Sequence, residues 1–311
     1  MMSAIICKNI HKSYENTEVL KGVSLKIVQG EFYALMGPNG SGKTTLTSIV
    51  ACTSLPTRGT VEIHSHNIVE AAEKVKELIG YVPQENFSSP HLTGKETLIY
   101  FARLFGFSKA KAKKIAEDLL DKMGLAEAAD KRVVNYSGGM KKRLEVATAL
   151  FPGVRVLILD EPTTGLDPSA RKKFLGLIKR INKEGTTVFF VTHIGEDAEV
   201  ASRVGFMDEG RIVMEDEPMQ LKKRSGLRNV VNIDTSLKAN EVVNVLQHFS
   251  DNGKILETEK GYKIYCEKPE DVTPSIVRSL DKIGCAATRI ETAPPSLEDV
   301  FFKLTEKSLR G

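Results

Sequence analysis

No run of about twenty consecutive apolar residues, the length a membrane-crossing helix needs, occurs anywhere in the 311-residue chain. The opening segment, MMSAIICKNIHKSY, is too polar and too soon interrupted for a signal peptide. A soluble cytoplasmic chain is therefore expected, any membrane association coming through a partner. Cysteine is scarce: Cys7, Cys52, Cys266 and Cys285 lie far apart without CxxC spacing, which argues against a disulfide framework or zinc site and suits a reducing compartment. Charge of one sign is lacking too. The 44 Lys and Arg are interspersed with 40 Asp and Glu, leaving a formal +4, so no basic footprint for nucleic acid is expected. His64 and His66 share a strand face but have no third ligand near them in sequence and read as surface residues.

What is present is strongly patterned. The length exceeds one ordinary domain and predicts a large domain with a smaller appendage. Short β-type runs at 5–10 and 23–28 precede an apolar strand at 32–36 that feeds a glycine-rich loop. A mostly helical section spans about 93–150. Apolar runs at 156–159, 187–191 and 204–207 then alternate with helical patterns such as 169–183, implying a buried, largely parallel sheet and an α/β class. The basic, small-residue stretch 222–226 reads as a linker. After it the order strand, helix, hairpin, helix, strand (βαββαβ) is the ferredoxin-like signature of a small α+β domain. The expected division is 1–225 and 226–311, with a helical subdomain at about 93–150 in the first part and an accessory or regulatory role for the second.

Gly37-Pro38-Asn39-Gly40-Ser41-Gly42-Lys43-Thr44 fits G-x-x-x-x-G-K-[ST], placed after a strand and before a helix as phosphate binding requires. Glycines let successive backbone N–H groups converge on phosphate oxygens, and a helix N-terminus adds unpaired donors and positive dipole. Lys43 is the candidate for the β and γ phosphates, and Thr44 offers a hydroxyl to Mg²⁺. The run through Thr45 is the candidate nucleotide cradle. At 156–161, VLILDE is a buried-type strand ending in two acids. Asp160 is placed to support Mg²⁺ and Glu161 to polarise an attacking water, with strand alternation separating their directions.

With these residues the chain resembles the ABC ATPase family over about 5–225. Tyr136-Ser137-Gly138-Gly139-Met140, ahead of a helical run, is similar to the family's signature motif, with Tyr136 in place of the usual Leu and Met140 in place of the usual Gln. The resemblance implies a P-loop NTPase-type domain that hydrolyses ATP. It also implies that Ser137 and Gly139 contact the γ-phosphate in a nucleotide held by another subunit, with Gly138 between them in the same binding set. By the same resemblance Tyr14 stacks on adenine, Gln84 touches Mg²⁺ or water and senses a membrane partner, Asp167 belongs to the loop crossing the dimer interface, and His193 lies near the γ-phosphate. One loop and one signature per chain then imply a head-to-tail homodimer, or a heterodimer with a similar ATPase. The motor lacks a pore, so a separate integral-membrane permease is implied, holding this chain peripherally at the inner face of the membrane. The ending PPSLEDVFFKLTEK, with Tyr136 and Met140, resembles the drug, sodium and lipid exporter branch. Rival expectations are a DNA- or ribosome-directed ATPase, which would need inserted coiled coils or a second ATPase half; a ligand-sensing module; and a P-loop kinase or GTPase, which needs no signature.

Overall fold

The computed structural model describes residues 2–85, 88–227, 229–251 and 253–305. They pack as two compact units dividing between Pro218 and Met219. In the first, β1 (Ser3–Tyr14) and β2 (Thr17–Val28) pair antiparallel, and β3 (Phe32–Met36) leads into α1 (Lys43–Val50). β4 (Arg58–Ile63), β5 (His66–Asn67), α2 (Ala72–Leu78) and β6 (Ile79–Val82) follow. The helical section consists of α3 (Gly94–Leu104), α4 (Lys109–Lys122) and α5 (Gly138–Thr148). The chain returns through β7 (Val156–Asp160), α6 (Pro168–Lys183), β8 (Thr187–Thr192), α7 (Gly195–Ala198), β9 (Arg203–Asp208) and β10 (Arg211–Asp216).

The six-stranded sheet runs β10-β9-β3-β8-β7-β6. Its strands pair parallel except β10, which lies antiparallel on β9. Every residue of β3, β7 and β8 is buried, the reason these strands are continuous apolar runs rather than alternating ones. A second, antiparallel sheet runs β2-β1-β4-β5. Between the sheets α1 buries Leu46, Ile49 and Val50 in one core with Ile5, Ile27 and Val61 of the antiparallel sheet and Leu35, Ile158 and Val191 of the parallel one.

Register then assembles the site. Met36 pairs with Thr192, Asp160 with Val191, and Val82 with Leu159. The segments after β3, β6, β7 and β8 therefore leave the sheet at one edge, the carboxyl edge where ligands bind in parallel α/β sheets.

The second unit opens on α8 (Pro218–Ser225), so the stretch expected as a linker at 222–226 is mostly helix. Its lysines and arginine are accommodated because only Leu221 and Ser225 are buried. It continues through β11 (Asn229–Thr235), α9 (Asn240–Gln247), β12 (Ile255–Glu257), β13 (Gly261–Cys266), α10 (Pro269–Lys282), β14 (Ala287–Ala293) and α11 (Leu297–Thr305). The sheet order is β12-β13-β11-β14 with every pair antiparallel. Its core gathers Val231, Ile233, Ile264 and Cys266 from strands with Val242, Leu246, Ile276 and Leu280 from α9 and α10. α10 begins four residues earlier than the apolar pattern from 273 suggests, because Pro269 is favoured in the first helical turn.

Candidate functional site

The loop from Gly37 to Gly42 connects a fully buried strand to a helix whose first residue is Lys43. Gly42 has φ 102° and Gly40 φ 77°, left-handed conformations that favour glycine. Space matters as much at Gly37, where an added Cβ would meet the Met207 carbonyl oxygen at 2.2 Å. Lys43 is 4% exposed, and its Nζ donates to the carbonyls of Gly37 and Pro38, both at 2.9 Å. Burial pulls its pKa below the usual lysine range, partly offset by Glu161 and Asp160. Within the same run Thr44 is exposed and Thr45 half-buried.

Asp160 ends β7 fully buried. Its Oδ2 accepts from Thr47 Oγ1 at 3.0 Å, while Oδ1 and the buried Ser41 Oγ have no hydrogen-bond partner. Desolvation lifts the Asp160 pKa above the usual carboxylate range, opposed by the hydroxyls of Thr47 and Thr44. Glu161 is separated from it by a mechanism other than the expected alternation: the chain leaves the strand with Glu161 at φ 47°, its N–H donating to Val191 O at 2.9 Å. A non-glycine residue in this conformation is uncommon and stores strain typical of functional sites. The turn aims the 6%-exposed Glu161 carboxylate into a ring of expected residues. Gln84 Nε2 donates to Oε2 at 3.3 Å, His193 Nδ1 lies 3.2 Å from Oε2, and Lys43 Nζ lies 3.9 Å from Oε1. His193, then burial in the opposite sense, then Lys43 leave the Glu161 pKa below its usual range, so the group is a carboxylate able to take a proton.

Ser137, Gly138, Gly139 and Asp167 form a separate group. Ser137 caps α5 by accepting from Met140 N at 3.3 Å, and Asp167 caps α6 by accepting from Ala170 N at 2.9 Å with Pro168 in the first turn; such caps are worth about 1 kcal/mol each. The two helix starts touch, since a Cβ on Gly139 would lie 3.2 Å from Ala170 Cβ and one on Gly138 3.7 Å from Leu166 Cδ2. Tyr136, just before them, is buried, its hydroxyl donating to Ala128 O at 2.7 Å in space left by Gly94, where a Cβ would come within 2.1 Å of the Tyr136 hydroxyl oxygen. The Tyr thus replaces an aliphatic side chain by packing plus one satisfied hydroxyl. Tyr14 sits at the end of β1, 48% exposed, with Lys12 Nζ 4.9 Å from its ring centroid.

Two buried ionic groups escaped the sequence reading. Asp197, fully buried, accepts from Thr163 Oγ1 and lies 3.9 Å from Arg171 Nε. It joins the segment after Glu161 to the one after His193, and desolvation raises its pKa. Lys142 Nζ lies 3.1 Å from Glu145 Oε2 and donates to Gln84 O at 3.4 Å, tying the signature helix to the Gln84 segment. The available signal was their polarity amid apolar helix faces, Asp197 four residues after His193 and Glu145 three after Lys142.

Because Asp160 has a folded-state pKa above its unfolded value, its ionisation opposes folding. Stability from this residue is greatest below the unfolded aspartate range and declines as pH rises through the folded value. Asp160→Asn, nearly isosteric and uncharged, is therefore expected to raise the melting temperature of the nucleotide-free protein at pH 7. The gain should shrink as pH falls toward 4. Calorimetric melts of both proteins across that range check this; an Asn variant less stable at neutral pH would contradict it.

The family described as ABC transporter matches residues 20–164. The linearmycin resistance ATP-binding protein LnrL of Bacillus subtilis (strain 168) is 32% identical, over 97% of this chain and 98% of that protein. The Nod factor export ATP-binding protein I of Burkholderia orbicola (strain AU 1054) is 33% identical over 97% of each. Among solved structures, the dimeric post-hydrolysis state of the ATP-binding cassette MJ0796 bound to ADP and Pi superposes with a TM-score of 0.62 at 31% identity, covering 68% of this chain and 98% of that one. With a phosphate loop, a strained carboxylate turn and a signature helix in one α/β unit, and with relatives matching from end to end, this chain belongs to the ABC transporter family as an ATP-binding, ATP-hydrolysing subunit.

Proposed function

We propose that two copies of this chain close head-to-tail on ATP and drive a separate exporter permease. The observation that carries the reading is the Glu161 carboxylate, held in a left-handed turn and ringed by Lys43, Gln84 and His193. Gly37 to Thr45 cradle the phosphates of ATP, and Tyr14 offers an exposed ring for adenine. Glu161 takes a proton from the attacking water, His193 holds the leaving geometry, and Gln84 reports the state of the site through its backbone link to Lys142. Mg²⁺, when bound, neutralises phosphate charge. The unpartnered Asp160 Oδ1 beside the Thr44 hydroxyl suits a hard cation with oxygen ligands, and Thr44, Asp160 and Gln84 would hold it. Ser137, Gly138, Gly139 and Asp167, grouped apart from the phosphate loop, serve the partner's nucleotide. That places each ATP between two chains related by a two-fold axis.

The exporter assignment leans on relatives named for drug resistance and for Nod factor export. No described helix is long and apolar enough to cross a membrane, which accords with a transport path in the proposed permease. A cavity of about 350 Å³ between β6, α1, α3 and the segment after α5 is lined by Phe101, Phe105 and Phe151. Phe105 is more than half exposed, as are Tyr100 and Leu104 just before it in sequence. An apolar, aromatic-lined surface of this kind fits an amphipathic helix of the permease. Phe105→Glu is expected to release the chain from membranes of cells that also make the permease, followed by co-sedimentation and with circular dichroism to verify the fold. Retention as strong as wild type would move the docking site elsewhere. We further propose that the βαββαβ unit, whose strand order places the first strand between the third and fourth, is ferredoxin-like and acts as an accessory domain.

A further inference from the structure

The accessory unit carries an edge of unusual character. β14 ends its sheet, seven residues long, in unbroken register from Val230↔Ala293 to Asp234↔Arg289 and with a register shift only at Thr288, near its start. Natural sheets blunt such edges by shortness, lysine, proline or bulges. The opposite edge of this sheet, β12, is three residues long. β14 has no lysine or proline, and Thr288, Arg289, Glu291 and Thr292 are all exposed.

Its sequence is Ala287-Thr288-Arg289-Ile290-Glu291-Thr292-Ala293, identical read from either end except that arginine exchanges with glutamate. Laid antiparallel on a second copy about a two-fold axis at Ile290, Arg289 faces Glu291 of the other copy and Glu291 faces its Arg289. The two Ile290 side chains meet at the axis, and the register shift at Thr288 confines the regular pairing to this centre. These are cross-strand pairs that stabilise antiparallel ladders: opposite charges and β-branched apolar residues. Within one chain Arg289 Nη2 already lies 2.7 Å from Glu291 Oε2, with 67% and 56% of those side chains exposed, so both charges stand on one face of the strand, ready to form an alternating ring of four.

We infer that β14 is a self-pairing edge, by which two copies of this chain join their accessory sheets into one eight-stranded sheet without nucleotide. The partner is a second copy because the charge pattern is complementary to itself under a two-fold axis. The contact is isologous and closed, so it yields dimers rather than filaments. It goes beyond the ATP-driven closure proposed above, and would keep two ATPase units at high effective concentration between turnovers.

The test is sedimentation of the full nucleotide-free chain in EDTA, where closure on ATP contributes nothing. Wild type is expected to be a reversible dimer in the micromolar range. Arg289→Glu sets four carboxylates around the axis and should weaken the dimer about tenfold or more. The exchange of both residues, R289E with E291R, recreates the complementary pattern and should restore wild-type association. A monomeric wild type, an unaffected Arg289→Glu dimer, or an exchange variant no tighter than Arg289→Glu would each overturn the inference. Since sandwich closure is read separately by adding MgATP to Glu161→Gln, failure here leaves that reading intact.

Discussion

Replacing Glu161 by Gln is expected to lower ATP turnover by roughly 10² to 10⁴ while preserving nucleotide binding. The substitution keeps the volume and the ability to accept from Gln84 and His193, but removes the only basic oxygen in the ring. His193, and more weakly Lys43, hold the Glu161 pKa low, so the wild-type group is ionised at neutral pH and ready to accept a proton. The amide also eases Lys43 from a pairing 3.9 Å away, freeing its ammonium for phosphate. Binding should therefore survive, and with MgATP the variant should accumulate as a closed dimer by size-exclusion chromatography. Turnover that persists in a monomeric variant would sink both the carboxylate's role and the shared site.

The second large effect is expected at a residue outside that ring. Gly138→Asp should abolish turnover by at least about a hundredfold, leaving ATP affinity of the single chain close to wild type. A side chain fits there without strain, since its Cβ would meet only Leu166 Cδ2 at 3.7 Å and the backbone is not left-handed. The loss must then come from the carboxylate itself. Placed at a helix N-terminus whose free N–H groups favour an anion, it occupies the position offered to the partner's γ-phosphate and repels it. Equilibrium binding of a fluorescent ATP analogue and steady-state turnover, measured together, decide the matter. Loss of single-chain binding would mean that the signature and phosphate loop of one chain act on the same nucleotide. Unchanged turnover would remove the signature from the reaction.

Much of this was legible before any coordinates. The phosphate loop could be read because its demands are local: glycines at 40 and 42 for left-handed backbone, a lysine, and a strand-to-helix transition, all within one short window. The buried strands were legible because two-sided burial leaves continuous apolar runs. Glu161 was singled out with the wrong geometry, since a left-handed turn after β7 is not encoded in any local periodicity. The helix over Pro218–Ser225 was missed because its polar, basic face carries almost no apolar signal. Asp197, Lys142 and Glu145 were missed because their burial is decided by segments distant in sequence. The self-complementary strand was visible as letters, but nothing in the letters said that it was an edge.

By itself, then, the sequence determined the segments on which the proposed chemistry rests: a glycine-rich 37–44 loop for phosphate, a carboxylate after an apolar strand as proton acceptor, and a capped helix start for an anion. Those properties reside in contiguous residues and their intrinsic backbone preferences. Only the tertiary structure decided where that chemistry converges. Parallel register brings Met36 level with Thr192 and Val191 level with Asp160, so that Gln84, Glu161 and His193, far apart along the chain, meet beside Lys43. Strand order, too, was outside the reach of local pattern, because which strand lies at an edge depends on long-range pairing that no single segment specifies.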